Sequence, residues 1–424
     1  VHSNHSDTVN NTVKKLTALG LFIWSICALF YGFEYFVRSS TNALALSLRN
    51  DYGFDSSTIA ILGSAFYLSY VISQIPAGLL VDRFGVKRIM VCSTFLFTVA
   101  MFMFSLSHNP IVMILARVIA GFAGGFGILC ALKSLSLWLP DRLFSMFVGF
   151  TQFSCYAGGA LSALPLVLFL DHYTISQVFF VVAIISLVLF LVSALFIRKH
   201  PSMDRKRHLI HQETVWQQIL ALGKMVKNRQ LLLNGLYFFT IYGTTVVFAD
   251  LWGISYLSSV HHITEAQAAF ACSLIFISVA ISSPIWGTLA TVINKDKVFL
   301  IWAPIIGFVV VLLLIYVDLN VYLIYLLCFL FGAMQSAHVL NFSMIKGHVH
   351  DKQLGVGIAF INLFLPLSGA VLQPLSGFLL QLFKGAHGLH QAYQYMMILI
   401  PVLMLLSFII ALFFKEVRTK DITL

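Results

Sequence analysis

Charge is what this chain has least of. Asp, Glu, Lys and Arg together make up 10% of its 424 residues, against 59% hydrophobic. No water-soluble fold of this length could bury that much apolar side chain, so a soluble globular domain is excluded and the bilayer is the expected solvent. Acids are the scarcer sign, 16 against 26 bases, for a net charge of +10. The six cysteines, Cys27, Cys92, Cys130, Cys155, Cys272 and Cys328, lie in hydrophobic stretches without C-x-x-C spacing. That scatter supports neither a disulfide framework nor a thiolate metal site. The loop pairs His261-His262 and His348-x-His350 lack companion ligands, so no metal is expected. No nucleophile, base and orienter set is present, and no enzyme activity or cofactor is expected.

What the chain has in abundance is hydrophobic length. About 20 apolar residues cross a hydrocarbon core, and twelve segments reach that scale: 17–46, 57–81, 89–107, 110–138, 143–170, 174–197, 230–258, 264–292, 298–317, 319–346, 353–383 and 391–414. The first follows a polar leader, is too long for a signal-peptide core and is expected to stay as a membrane helix. With both termini on the cytoplasmic side, all but five of the 26 Lys and Arg fall in cytoplasmic segments. Arg49 and Lys384 fall outside, and Arg38, Arg117 and Lys133 lie within helices. The basic excess is this topological signal, so it implies no nucleic-acid partner.

The longest polar interruption divides six segments from six. The expected organisation is a cytoplasmic tail over 1–16, a six-helix bundle over 17–197, a cytoplasmic linker over 198–229, a second bundle over 230–414 and a tail over 415–424. Within the linker, residues 212–227 suit an amphipathic helix on the membrane face. A shift of 210 positions pairs Asp141 with Asp351, Arg142 with Lys352, Phe150 with Phe360, Gln152 with Asn362 and Gly159 with Gly369, and a shift of 209 pairs Gly78 with Gly287 and Arg88 with Lys297. Each set falls at matching helix ordinals. The pattern predicts an all-α membrane fold of twelve helices in two pseudo-symmetric bundles about a central site.

Gly78-Leu-Leu-Val-Asp82-Arg83-Phe-Gly85-Val-Lys87-Arg88 places a dense charged turn between the second and third segments. It resembles the loop between helices 2 and 3 of the major facilitator superfamily. The resemblance implies that the glycines let two helices approach, and that Asp82 caps a helix or pairs with a base as the carrier changes shape. The run Ala131-Leu132-Lys133 to Asp141-Arg142 is similar to the joint between helices 4 and 5 of many bacterial members. The chain is identified on these grounds as a transporter of that superfamily.

Five charges stand inside helices: Glu34, Arg38, Arg117, Lys133 and Asp250. A charge at the bilayer centre costs about 2.5 to 3.5 kcal/mol on insertion scales, so each should face a partner, a cavity or an interface. Tyr31, Glu34, Tyr35, Arg38 and Asn42 form one helical stripe, the best candidate for a cavity wall. Tyr35-x-x-Arg38 followed by Asn42-Ala-Leu resembles helix 1 of the organophosphate:phosphate antiporters, which implies that Arg38 binds an anionic substrate. Helix 7 carries Asp250 rather than a second Arg, which suits a phosphate less well. Glu34-x-x-x-Arg38 also resembles the first helix of proton-coupled peptide carriers; Glu34 is a proton carrier or the acid of a structural intrahelical pair. Asp250 shares the proton role or caps helix 7. Arg117, heading a glycine-rich run through Gly121, Gly124, Gly125 and Gly127, resembles the R-x-x-x-G pattern of proton-linked members and is a relay, a gate or a packing element. Lys133 snorkels or guides an anion.

Uncharged polar residues extend the candidate site: Tyr67, Tyr70 and Gln74 in helix 2, Gln152 and Tyr156 in helix 5, Thr244 in helix 7, Gln335, His338 and Asn341 in helix 10, and Asn362 in helix 11. Each reads as a ligand contact or an interhelical hydrogen bond. The resemblance implies proton-coupled import of a small anionic or zwitterionic solute, such as an amino acid, peptide or carboxylate; the leader and loop composition suit a bacterial inner membrane, with an organellar membrane as the alternative. One chain suffices for alternating access. The same residues suit an antiporter exporting a drug or a siderophore-like polycarboxylate, an organophosphate exchanger, or a receptor that kept the carrier fold.

Overall fold

The computed structural model describes residues 17–140, 143–198, 215–293, 295–345, 348–349 and 354–415. The expected tails, the pairs at 141–142 and 351–352, and much of the linker lie outside these residues. Among the described residues, eleven helices are long and apolar enough to cross a membrane. One of them, Ser56–Leu106, has 51 residues. At about 1.5 Å per residue a straight helix of that length would be more than twice the hydrocarbon thickness. It folds back at Gly85, whose φ of 81° and ψ of 158° lie outside the helical region. Two expected spans are therefore one helical run with a single-residue reversal, and a Cβ at that φ would be strained.

We number the twelve passes α1 (Ala18–Asn50), α2 and α3 (the parts of Ser56–Leu106 before and after Gly85), α4 (Pro110–Trp138), α5 (Met146–Leu170), α6 (Ile175–Phe196), α7 (Arg229–Val260), α8 (Glu265–Ala290), α9 (Asp296–Tyr316), α10 (Val321–Met344), α11 (Val356–Ala386) and α12 (Leu389–Leu412). A further helix, Val215–Met225, lies inside the stretch expected to be amphipathic. Local chemistry sets several starts. Asp55 accepts from the Thr58 N–H, Thr174 and Gln177 form a reciprocal capping box, and Asn109 caps α4 with Pro110 behind it. Each satisfies N–H groups that the first helical turn leaves without partners.

Among the described residues six passes are interrupted: α4 at 125–126, α5 at 162–163, α12 at Ile398, and three more at candidate site residues. Near its far end α1 turns at Ser40. The run Phe248–Trp252 of α7 is a π-helical turn, and Ser336–Leu340 of α10 is a 3₁₀ turn. Such interruptions leave backbone groups unpaired and so tend to mark functional positions. Helices α1 and α5 cross where Gly32 meets Gly158: a Cβ at Gly158 would overlap the Gly32 carbonyl oxygen. The glycines of α4 serve packing too, since a Cβ at Gly121 would overlap the Phe66 carbonyl oxygen.

Hydrogen bonds joining α1–α6 to α7–α12 cluster at the end remote from Ala18 and Phe414. They include Tyr35 to Tyr242, Ser39 and Tyr67 to Asp250, Asn42 to Ala249, Arg49 to Tyr393, and the Leu164 N–H to Ser273. Toward the termini, a Cβ at Gly78 of α2, Gly149 of α5 or Gly287 of α8 would meet no atom within 4 Å. The molecule is sealed at the far end and parted at the end carrying the termini. The close approach expected at Gly78 is not made in this conformation, since a Cβ there would meet no atom.

Candidate functional site

The stripe expected on α1 faces the middle of the protein. Arg38 is buried, and its guanidinium carbon lies 4.0 Å from the ring centre of Tyr35, 5.3 Å from Tyr70 and 5.6 Å from Tyr67. Aromatic faces attract a desolvated cation without occupying its N–H donors. Glu34 is one turn away, but its Oε1 is 4.0 Å from Arg38 Nη2, at the limit of an ion pair. Neither Glu34 oxygen nor the Arg38 Nε has a hydrogen-bond partner. Buried polar groups are nearly always bonded. A buried carboxyl and a buried guanidinium with spare capacity, side by side, are the strongest local sign of a ligand site. Tyr31 and Tyr70, buried, and Tyr156, half-buried, stand around the pair, with the Tyr156 ring 6.1 Å from that of Tyr35. One turn from Tyr156 toward the open end, Gln152 is exposed.

Asp250 sits in the π-helical turn of α7, fully buried. Its Oδ1 accepts from the Ser39 hydroxyl at 2.7 Å and its Oδ2 from the Tyr67 hydroxyl at 2.5 Å. It therefore ties α7 to α1 and α2 within the membrane, and is not a cap at the outer end of α7. Asn42 is engaged in the same way: its Nδ2 donates to the Ala249 carbonyl at 2.7 Å and its Oδ1 accepts from the Ile254 N–H at 3.0 Å. A substrate contact from Asn42 would require those bonds to break.

Arg117 has no free donor edge. Nε donates to the Leu62 carbonyl at 3.2 Å, Nη1 to Val37 at 2.5 Å, and Nη2 to Arg38 at 2.9 Å and to the Thr41 hydroxyl at 2.8 Å. The Val37 and Arg38 carbonyls lie just before the turn of α1 at Ser40. The guanidinium fork thus fills the break in α1 and joins α4 and α2 to it. Lys133 is paired with Asp82 at 2.5 Å across α4 and the turn between α2 and α3. Gly85 makes that turn, Arg83 lies 5.6 Å over the Phe84 ring, and Arg88 is exposed.

In the second half, the Gln335 side chain donates to the Thr244 hydroxyl, and His338 bonds the Gln335 carbonyl at 2.7 Å. Asn341, fully buried, leaves both amide atoms unpartnered. Asn362 is half-buried on α11. Among the described residues no hydrogen bond or ion pair joins these five to Arg38; Tyr242, whose hydroxyl is 3.2 Å from that of Tyr35 and whose ring centre is 6.2 Å from that of His338, stands between the two groups. Sequence reading missed Tyr242 and Ser39. Ser39 lies four residues after Tyr35, a helical step that would have included it; Tyr242 answers Tyr35 at a shift of 207, just off the repeat of 209 to 210.

The family model for the Major Facilitator Superfamily matches residues 25–260 and 251–423. This chain belongs to the Major Facilitator Superfamily. Its superfamily relatives include the probable sulfoacetate transporter SauU of Cupriavidus necator, 23% identical over 191 residues, which are 45% of this chain and 44% of SauU. The probable galactarate/D-glucarate transporter GudP of Bacillus subtilis is 26% identical over 288 residues, 61% of this chain and 62% of GudP. The matches thus span less than two thirds of either relative. The crystal structure of a bacterial homologue of the human lysosomal transporter Spinster, inward-facing and unoccupied, superposes with a TM-score of 0.76 at 13% identity, covering 94% of this chain and 98% of that one. At that identity the likeness is one of fold.

Proposed function

We propose that this superfamily transporter carries a small organic anion, a carboxylate or sulfonate, together with protons, by alternating access between two rocking six-helix bundles. The observation that carries the reading is Arg38: a buried guanidinium in a cage of tyrosines, with an unfilled Nε and its nearest carboxylate oxygen at 4.0 Å. Charge-assisted, bidentate bonds to a planar anionic group are what such a fork makes best. SauU and GudP are both named for anionic solutes, which supports the same class. A single unengaged guanidinium, with Arg117 committed to carbonyls, suits one anionic group better than a phosphate ester. Glu34 and Asp250 are the groups able to take up and release a proton beside that anion; for Glu34, whose oxygens have no hydrogen-bond partner, a buried charge is costly to maintain, while Asp250 is held by Ser39 and Tyr67. With the termini in the cytoplasm of a bacterium, the parted end opens inward, the state in which an importer discharges its solute.

The test is a thermal-shift screen of purified protein against short carboxylates, sulfonates, sugar acids, amino acids and dipeptides, followed by uptake into proteoliposomes under an imposed pH gradient. A ligand present at about a hundredfold its Kd stabilises the native state by roughly 2.7 kcal/mol. The reading expects an anion to stabilise the native chain, the shift to vanish in a folded Arg38→Ala variant, and uptake to collapse when the pH gradient is dissipated. A stabilising solute indifferent to Arg38→Ala would overturn the anion site, and uptake indifferent to the gradient would overturn the coupling.

A further inference from the structure

The π-helical turn of α7 has a gap in its hydrogen-bond ladder, and a side chain from the other half of the molecule fills it. In a regular α-helix the Ala249 carbonyl would accept from the Gly253 N–H. Here the Gly253 N–H goes to the Phe248 carbonyl, the longer spacing of a π-turn. The next pair in that spacing, the Ala249 carbonyl and the Ile254 N–H, is served by a side-chain amide: Asn42 Nδ2 donates to the carbonyl at 2.7 Å and Asn42 Oδ1 accepts from the N–H at 3.0 Å. One carboxamide on α1 thus stands as a rung inside α7, where side-chain insertion is a recognised cause of a break. Asp250 follows Ala249 directly, within the stretch these partners bracket, and the turn aims its carboxylate at Ser39 and Tyr67.

We propose that Asn42 is a positioning residue that makes the placement of Asp250 conditional on the far end being sealed. The inference concerns the gate, and it rests on membership of a transporter superfamily rather than on the identity of the anion. Opening the far end draws α1 away from α7 and removes the amide. Two buried backbone groups would then lack partners, which membrane interiors do not tolerate. The ladder closes instead when each N–H of the turn steps to the next carbonyl along, so that Trp252 serves the Phe248 carbonyl, Gly253 moves from Phe248 to Ala249, and the Ile254 N–H finds the Asp250 carbonyl. That removes the extra residue from the turn and rotates the helix on one side of it by about 100° relative to the other. The Asp250 carboxylate leaves Ser39 and Tyr67 as part of the same event. Gly253 is suited to the exchange, since an added Cβ would stand 2.7 Å from the Phe248 carbonyl oxygen and 2.9 Å from Cys272 Sγ.

The experiment needs no substrate. Spin labels at Asp51→Cys and Lys384→Cys, exposed positions at the far end of the two halves, report its opening in a chain whose exposed Cys92 is changed to Ser. Asn42→Leu keeps the branched heavy-atom shape and removes both bonds. It should lengthen the label distance and speed deuterium uptake over residues 248–256 by about tenfold or more, the loss of two hydrogen bonds being felt locally. It should also shift the infrared carboxyl band of Asp250, identified by its absence in Asp250→Asn, a readout that loss of packing alone would leave in place. Asn42→Asp, which keeps the acceptor for the Ile254 N–H, should fall between. An unshifted Asp250 band or unchanged uptake over 248–256 in Asn42→Leu overturns the proposal. Should that variant not fold, Gly253→Ala perturbs the turn from within and must shift the same band; a band left in place there overturns the proposal equally.

Discussion

Arg117 and Arg38 are the same residue type, both buried in one bundle, and their roles part company on hydrogen-bond count. Arg117 spends its donors on three carbonyls and the Thr41 hydroxyl, whereas Arg38 keeps Nε free among aromatic rings. Replacing Arg117 with Met should therefore behave as a stability mutation. Leaving a buried acceptor without its donor costs about 1 to 3 kcal/mol, and this guanidinium serves three carbonyls and a hydroxyl, so Arg117→Met should lower the melting temperature sharply or prevent recovery of folded protein in detergent. Arg117→Lys, keeping charge but not the fork, should lose less. A fully stable Arg117→Met protein with abolished uptake would instead restore the relay role. The sequence placed both arginines in the membrane but could not separate them, because partners such as the Val37 carbonyl are backbone atoms and carry no residue-type signal.

At the level of elements, helix existence was readable because twenty-residue apolar runs are unambiguous against a bilayer, and the expected pass over 174–197 is observed at Ile175–Phe196. Interruptions were not readable. The turn at Ser40, the π-turn at Phe248–Trp252 and the 3₁₀ turn at Ser336–Leu340 contain no proline, and their freed backbone groups are satisfied from other helices. Crossing points show the same dependence on partners. Gly158→Ala should disturb the α1–α5 crossing, where the new methyl meets the Gly32 carbonyl, at a cost of about 1 to 3 kcal/mol typical of overpacking. Gly149→Ala lies in the same helix with open space around it and should be neutral or stabilising by up to about 1 kcal/mol, the helix-propensity gain. Melting curves of the two variants side by side check this; equal losses would show that α5 tolerates neither for a reason other than the crossing.

For the molecule as a whole, turnover requires the contacts that seal the far end to break in every cycle. A short reducible cross-link between Arg49→Cys and Tyr393→Cys, placed where Arg49 Nη1 meets the Tyr393 hydroxyl at 3.1 Å, should stop transport and leave ligand binding from the parted end intact. Reductant should restore flux, and flux persisting through the cross-link would show that the far end need not open there. Composition and periodicity by themselves determined that this is an all-α, multi-pass membrane protein with a charged stripe on its first helix, since hydrophobic length and a 3.6-residue period are properties of the chain alone. Only the tertiary structure decided that Arg38 keeps donor capacity while Arg117 does not, that Asp250 bridges to Ser39 and Tyr67, and that Asn42 completes the ladder of α7. Those facts depend on which backbone groups of distant helices are left unpaired, and that is settled when the two halves meet.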